Sequence, residues 1–202
     1  MSGVKRGPVG DLSLVVSWLS FLWVVFIVDV VLRATSNIWI ANWLGLRPRD
    51  VDGLVGIITS HMLHANVAHI IANSISLLIL GWVACGYSRT LTAAAVGYSM
   101  LTAGLFTWCI GSWSTPGAVH VGASGIIFGL IGWLIANGIF RRGWFPLFLG
   151  VIILVLYGGA LFGVLPPQVD EKGNVAPISW EMHLGGLVGG VMASWHLRKT
   201  KA

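Results

Sequence analysis

The chain has 202 residues, of which 56% are hydrophobic and only 9% charged, with a formal net charge of +5. Soluble domains carry roughly a quarter charged residues, so this balance excludes an ordinary water-soluble fold and defines an integral membrane protein. The positive excess comes without a basic stripe or a recognition motif, which leaves a nucleic-acid-binding reading nothing to rest on.

A membrane-crossing helix needs about 20 mostly apolar residues. Six stretches meet or approach that length, at residues 12–32, 66–85, 91–110, 121–140, 145–165 and 182–197. Lys5 and Arg6 precede the first. Its apolar run exceeds the 7–15 residues of a signal-peptide core, so it is expected to stay as a span. The link that follows, from Arg33 to about Gly56, is long and carries Trp39, Trp43, Pro48, Asp50 and Asp52. Tryptophan favours the membrane interface. This link therefore reads as a loop lying partly in the outer leaflet, with room for a short amphipathic helix.

His61 and His64 lead into the second span, which holds His69 and Asn73. These last two are four residues apart and share one helix face. The link from Gly111 to His120 contains Pro116 and Gly117 and no Lys, Arg, Asp or Glu. Such a link can dip below the surface if protein or water satisfies its backbone. The fourth span opens with Gly122-Ala123-Ser124-Gly125, and Arg141-Arg142 follow it. The link from Pro166 to Glu181 is polar, with Asp170, Glu171 and Lys172, and reads as a mobile surface loop. The sixth span carries His183, Gly186 and Gly190.

Lys and Arg placement orients the bundle. With the N-terminus inside, the inner side holds eight (Lys5, Arg6, Arg89, Arg141, Arg142, Arg198, Lys199, Lys201) and the outer side four (Arg33, Arg47, Arg49, Lys172). The expectation is an all-α membrane fold of six spans with both termini inside, one domain over residues 1–202 with its core at about 12–198. Cys85 and Cys109 then fall on opposite faces, which argues against a disulfide and offers no metal-site spacing.

Polar side chains are costly in lipid and usually face a protein interior or a watery cavity. Ser124 stands at the start of an apolar helix, where unpaired backbone N–H groups and a partial positive charge could stabilise an oxyanion. Alone, a serine there would read as a helix cap. His183, at the mouth of the last span, could take the serine proton and return it to a leaving amine. Asp29 and Glu181 are not placed as a third member, so the reading is a Ser–His dyad without a carboxylate. His69 and Asn73 can both donate hydrogen bonds, to an oxyanion or between helices. Gly125/Gly129 and Gly186/Gly190 have the four-residue spacing that lets two helices touch backbone to backbone. If those stripes meet, Ser124 and His183 come together. His61, His64 and His69 lack an accompanying acid and the spacing of a zinc site. His64 is expected to brace the outer loop by hydrogen bonding.

The segments HMLHANVAHIIANSISLLILG, GASGIIFGLIG and SWEMHLGGLVGG, in this order, resemble the three signature blocks of the rhomboid family of intramembrane serine proteases. The likeness covers about Asp52 to Gly190. It implies Ser124 as nucleophile, His183 as general base, and an oxyanion hole from His69, Asn73 and the Ser124 backbone N–H. It places Phe128 where the family often has an aromatic packed on the catalytic histidine, and it leaves Gly122 among the glycines supporting helix packing. It implies no cofactor and no metal. The partners it implies are transmembrane protein substrates and the lipid bilayer of a plasma membrane, bacterial in kind, with the oligomeric state left open. One departure stands out. Many rhomboids carry a Trp-Arg pair in the outer loop, and the matching positions here are Val55 and Gly56. Two other readings remain: a non-catalytic rhomboid-like escort, and a histidine-relay transporter, which would place acids and broken helices at mid-membrane.

Overall fold

A computed structural model describes residues 8–111, 117–166 and 178–201. The expectations for the Pro116 region and for the link holding Asp170, Glu171 and Lys172 concern residues outside those described. The chain is all-helical: α1 (Pro8–Ser36), α2 (Ala41–Leu44), α3 (Gly56–Thr59), α4 (Val67–Tyr87), α5 (Arg89–Ile110), α6 (Ser124–Phe140), α7 (Trp144–Tyr157) and α8 (Trp180–His196). Among the described residues no strand forms, and a single antiparallel bridge pairs Leu46 with His120.

Four helical stretches are long and apolar enough to cross a membrane: Leu12–Ser36, Val67–Tyr87, Arg89–Ile110 and Trp144–Val164. The two that carry Ser124 and His183 are shorter, at 17 residues each. The sequence places the fourth span from Val121, yet helix begins only at Ser124. The difference lies at Gly122, whose φ of +130° is incompatible with a right-handed helix. The apolar stretch Trp144–Val164 tightens into a 3₁₀ helix over Gly158–Val164, which opens on the glycine pair Gly158-Gly159.

Helix α6 is the centre of the bundle. Every residue from Gly125 to Leu134 is buried, and α8, α7, α5 and α4 all pack on it. Helix α1 lies outside, against α4. Its Val24, Ile27 and Val31 are exposed, like Phe148, Val151 and Val155 on α7. Such rows of exposed apolar side chains suit a lipid surround rather than water.

The closest helix packing uses glycine. A Cβ added at Gly186 would overlap the carbonyl of Gly125, and one at Gly190 would overlap that of Gly129. In return, a Cβ at Gly129 would stand 3.1 Å from the Gly186 carbonyl oxygen. The neighbouring Gly185 and Gly189 face α5, where a Cβ would come within 2.8 Å of the Thr102 and Tyr98 carbonyl oxygens. Helix α8 thus lies between α6 and α5 with backbone contact on both sides.

The link between α1 and α4 is built from α2, α3 and two 3₁₀ turns, Val51–Gly53 and Ser60–Met62. Its bracing does not need the Trp-Arg pair. Arg47 pairs with Asp50 at 2.8 Å, Trp108 Nε1 donates to the Asp50 carbonyl at 3.0 Å, and Arg49 donates to the Gly111 carbonyl at 2.8 Å. Gly56 lies where a Cβ would collide with the backbone of Leu46. Asp29 pairs with Arg33, and its other oxygen accepts from the Ile40 N–H at 2.9 Å. Arg33 also donates to the carbonyls of His64 and Ala65. The brace at His64 therefore runs through its backbone, while its ring stands edge-on to His69 with centroids 5.2 Å apart.

Candidate active site

Three helix starts converge on one cavity of about 530 Å³, lined by His69 and Asn73 from α4, Ser124 and Phe128 from α6, and His183 from α8. Each start has a local cause. Asn66 caps α4, its side-chain oxygen accepting from the His69 N–H at 2.9 Å. Helix α6 starts after Ala123, whose carbonyl accepts from the Ile126 and Ile127 N–H groups. That leaves the Ser124 and Gly125 amides ahead of the intrahelical ladder. In α8 the His183 N–H closes the first turn on the Ser179 carbonyl at 3.1 Å.

Gly122 joins the first two starts. Its N–H bonds the Ser60 carbonyl at 2.9 Å. A Cβ there would lie 2.6 Å from His69 Cε1 and 3.6 Å from Asn73 Nδ2, so both side chains pack against this stretch of backbone. The positive φ and the close approach both require glycine. Asn73 is buried, and its Nδ2 has no hydrogen-bond partner among the described residues. A buried amide donor left unpaired at a cavity wall is costly unless something visits it.

His183 is held on two sides. Its ring stacks on Phe128, with centroids 4.2 Å apart and planes 9° apart. Its Nδ1 lies 2.9 Å from the Gly163 carbonyl oxygen. Among the described residues, no hydrogen bond joins the Ser124 hydroxyl to His183, though both line the same cavity. Asp29 is committed to Arg33 and Ile40, and Glu181 is buried two residues before His183. The described residues contain no group of three His, Cys, Asp or Glu able to hold a metal ion. Neither Cys85, which is buried, nor Cys109, which is exposed, is in a disulfide.

Three residues at the site carried no signal in sequence. One is Gly163. The others are His120 and Ser179, whose Nδ1 and Oγ lie 2.6 Å apart. They stand four residues before Ser124 and His183 respectively. His120 also exchanges backbone hydrogen bonds with Leu46 at 2.9 and 3.1 Å. The pair thereby ties the α1–α4 link, the approach to α6 and the approach to α8 into one frame. Burial lowers the His120 imidazole from its ordinary 6.5 to about 4, so it is neutral at physiological pH. The spacing of four could have suggested a pair, but only once α6 and α8 are known to lie side by side.

Comparison with known proteins adds independent findings. A family model for the Rhomboid domain matches residues 52–200. An uncharacterized protein of Mycobacterium tuberculosis (strain ATCC 25618 / H37Rv) is 38% identical over 193 residues, covering 91% of this chain and 77% of its own. An uncharacterized protein of Mycobacterium leprae is 37% identical over 196 residues, covering 93% and 74%. A protein of Bacillus subtilis named Rhomboid protease GluP is 29% identical over 147 residues, which are 72% of this chain but 26% of that protein.

Proposed function

The chain belongs to the rhomboid family, and from that premise we propose that it is an intramembrane serine endopeptidase that cuts other membrane proteins in or near their transmembrane segments. The observation that carries the reading is the shared cavity. Ser124, His183, His69 and Asn73 come from three separate helices and line one wall system around a space large enough for a peptide segment.

In this mechanism the Ser124 Oγ attacks a substrate carbonyl while His183 Nε2 takes its proton. The developing oxyanion receives hydrogen bonds from Asn73, His69 and the Ser124 N–H. His183 then passes its proton to the leaving amine, and water attacking by the same route releases the acyl group. The lack of a Ser124–His183 hydrogen bond among the described residues is compatible with this cycle, because catalytic hydrogen bonds often tighten only when substrate is bound. A stable substrate helix hides its carbonyls in its own hydrogen bonds, so substrates should unwind readily near the cut.

The reading includes six spans with both termini inside. A helix of 17 residues is about 26 Å long, against a hydrocarbon core of about 30 Å. Helices α6 and α8 therefore cross only if their Ser124 and His183 ends start below the outer surface. The length deficit supports an active site set a short way into the membrane and reached from outside. A plasma membrane suits the mycobacterial relatives.

The test is covalent labelling by a fluorophosphonate probe. Wild-type protein in detergent should be labelled at Ser124, and Ser124→Ala should not. Wild-type protein that resists the probe and leaves a model transmembrane substrate intact would overturn the proposal.

A further inference from the structure

A neutral imidazole exists as two tautomers, and only the Nδ1–H form has a lone pair on Nε2. A histidine that is to take a serine proton through Nε2 must be held in that form. The partner of the other nitrogen sets which form persists. In soluble triads a buried aspartate does this. Here Asp29 is engaged elsewhere, and stacking on Phe128 fixes the plane of the His183 ring without choosing between its nitrogens.

We propose that the backbone carbonyl of Gly163 replaces the missing carboxylate: it holds His183 as the Nδ1–H tautomer and so keeps Nε2 free to act as base. The proposal rests on the protease reading and makes Gly163 a positioning residue within it. A carbonyl oxygen can only accept, so at 2.9 Å the Nδ1 must be the donor.

The local sequence explains why this acceptor is available. Gly163 lies at the end of the 3₁₀ helix Gly158–Val164, whose last bond runs from the Leu165 N–H to the Phe162 carbonyl. The next 3₁₀ bond would reach the Gly163 carbonyl from residue 166, and an α-helical bond from residue 167. Both are proline and have no N–H. Neither continuation can use the oxygen, so it is left for His183. The glycine itself lets the backbone come this close. A Cβ at this position would stand 3.1 Å from Phe128 Cζ and 3.4 Å from His183 Nδ1. A neutral acceptor also avoids burying a carboxylate in an apolar site, which would cost far more.

The test reads the tautomer directly. Protein labelled with ¹⁵N-histidine gives ring-nitrogen resonances, and His183→Asn identifies those of His183. In wild-type protein Nδ1 should be protonated and Nε2 not. Replacing Val164 by its α-hydroxy acid makes the Gly163 carbonyl an ester carbonyl, a weaker acceptor, with no change of side chain. That variant should show a mixture of tautomers and label Ser124 about tenfold more slowly, the scale of one hydrogen bond. Gly163→Ala, made by ordinary mutagenesis, should move both readouts the same way. An Nε2–H form in the wild type, or an ester variant with unchanged tautomer and rate, would overturn the proposal. A wild type with the Nδ1–H form intact and Ser124 unlabelled would instead overturn the protease reading, and the base role with it.

Discussion

The imidazole of His183 lies flat against the ring of Phe128, their centroids 4.2 Å apart, and the two residues belong to different helices. In the proposed mechanism, the stack makes α6 supply both the nucleophile and, one turn on, the surface that sets the plane of the base. Phe128→Tyr preserves the ring and should cleave a model substrate at close to the wild-type rate. Phe128→Ala leaves His183 free to tilt. A misplacement near 1 Å can cost about 10²-fold in rate, so labelling of Ser124 should slow by that order in the folded fraction. Equal rates for Phe128→Ala and wild type would show that the stack does not position the base.

Ser124→Ala and His183→Ala should each abolish cleavage while leaving the fold intact. The two groups act as one unit, so the double variant should be little worse than either single variant. Substantial turnover by purified Ser124→Ala protein would rule out the mechanism.

The buried, unpartnered Nδ2 of Asn73 gives a graded prediction. Loss of one oxyanion donor costs on the order of 10²–10³ in rate in a soluble serine protease. Asn73→Ala should therefore cleave slowly but measurably and still be labelled at Ser124. Removing an orphaned donor should also cost little stability, because no hydrogen bond is lost with it. Wild-type turnover with a lowered melting temperature would assign Asn73 to helix packing instead. His69→Ala should slow cleavage too, with an added packing defect against Gly122.

Much of this site is legible in the sequence because its chemistry is expensive in lipid. Ser124, His183, His69 and Asn73 stand out for being polar in apolar runs, and the glycine spacings say which helices can touch. The helix count is less legible. Helices α6 and α8 are short, and their N-terminal ends depend on local geometry at Gly122 and Ser179 rather than on hydrophobic length. Gly163 is invisible for another reason. Its contribution is a backbone oxygen, which every residue possesses, and only the fold shows that this one is aimed at His183. The His120–Ser179 pair joins segments 59 residues apart, a relationship that no local pattern encodes.

Gly186 tests the glycine contact between α6 and α8. A Cβ there overlaps the Gly125 carbonyl, and a backbone atom cannot swing aside as a side chain can. Gly186→Leu should part the two helices beside Ser124 and remove activity, even in protein that still inserts. Gly186→Ala should fall between, with a lower melting temperature and slower labelling. Full activity in Gly186→Leu would mean that the close contact is dispensable.

Acid should unfold the protein through histidines that the mechanism does not use. His61, His64 and His120 lie in the links between helices, and all three are buried. Burial is the main cause that lowers each from the ordinary 6.5 to about 4, with the nearby His69 adding to the effect at His64. The direction follows from proton counting. Between pH 6.5 and 4 the unfolded chain binds protons at these positions and the folded chain does not, so stability falls as pH falls through that window. Above about pH 7 both states are neutral there, and these groups make stability flat. Thermal unfolding in detergent should show a plateau near neutrality and a steep loss toward pH 4.5. The slope should approach about three protons per molecule, and His120→Asn should reduce it by one. A melting temperature unchanged from pH 7 to 4.5 would mean that these imidazoles are not held neutral by burial.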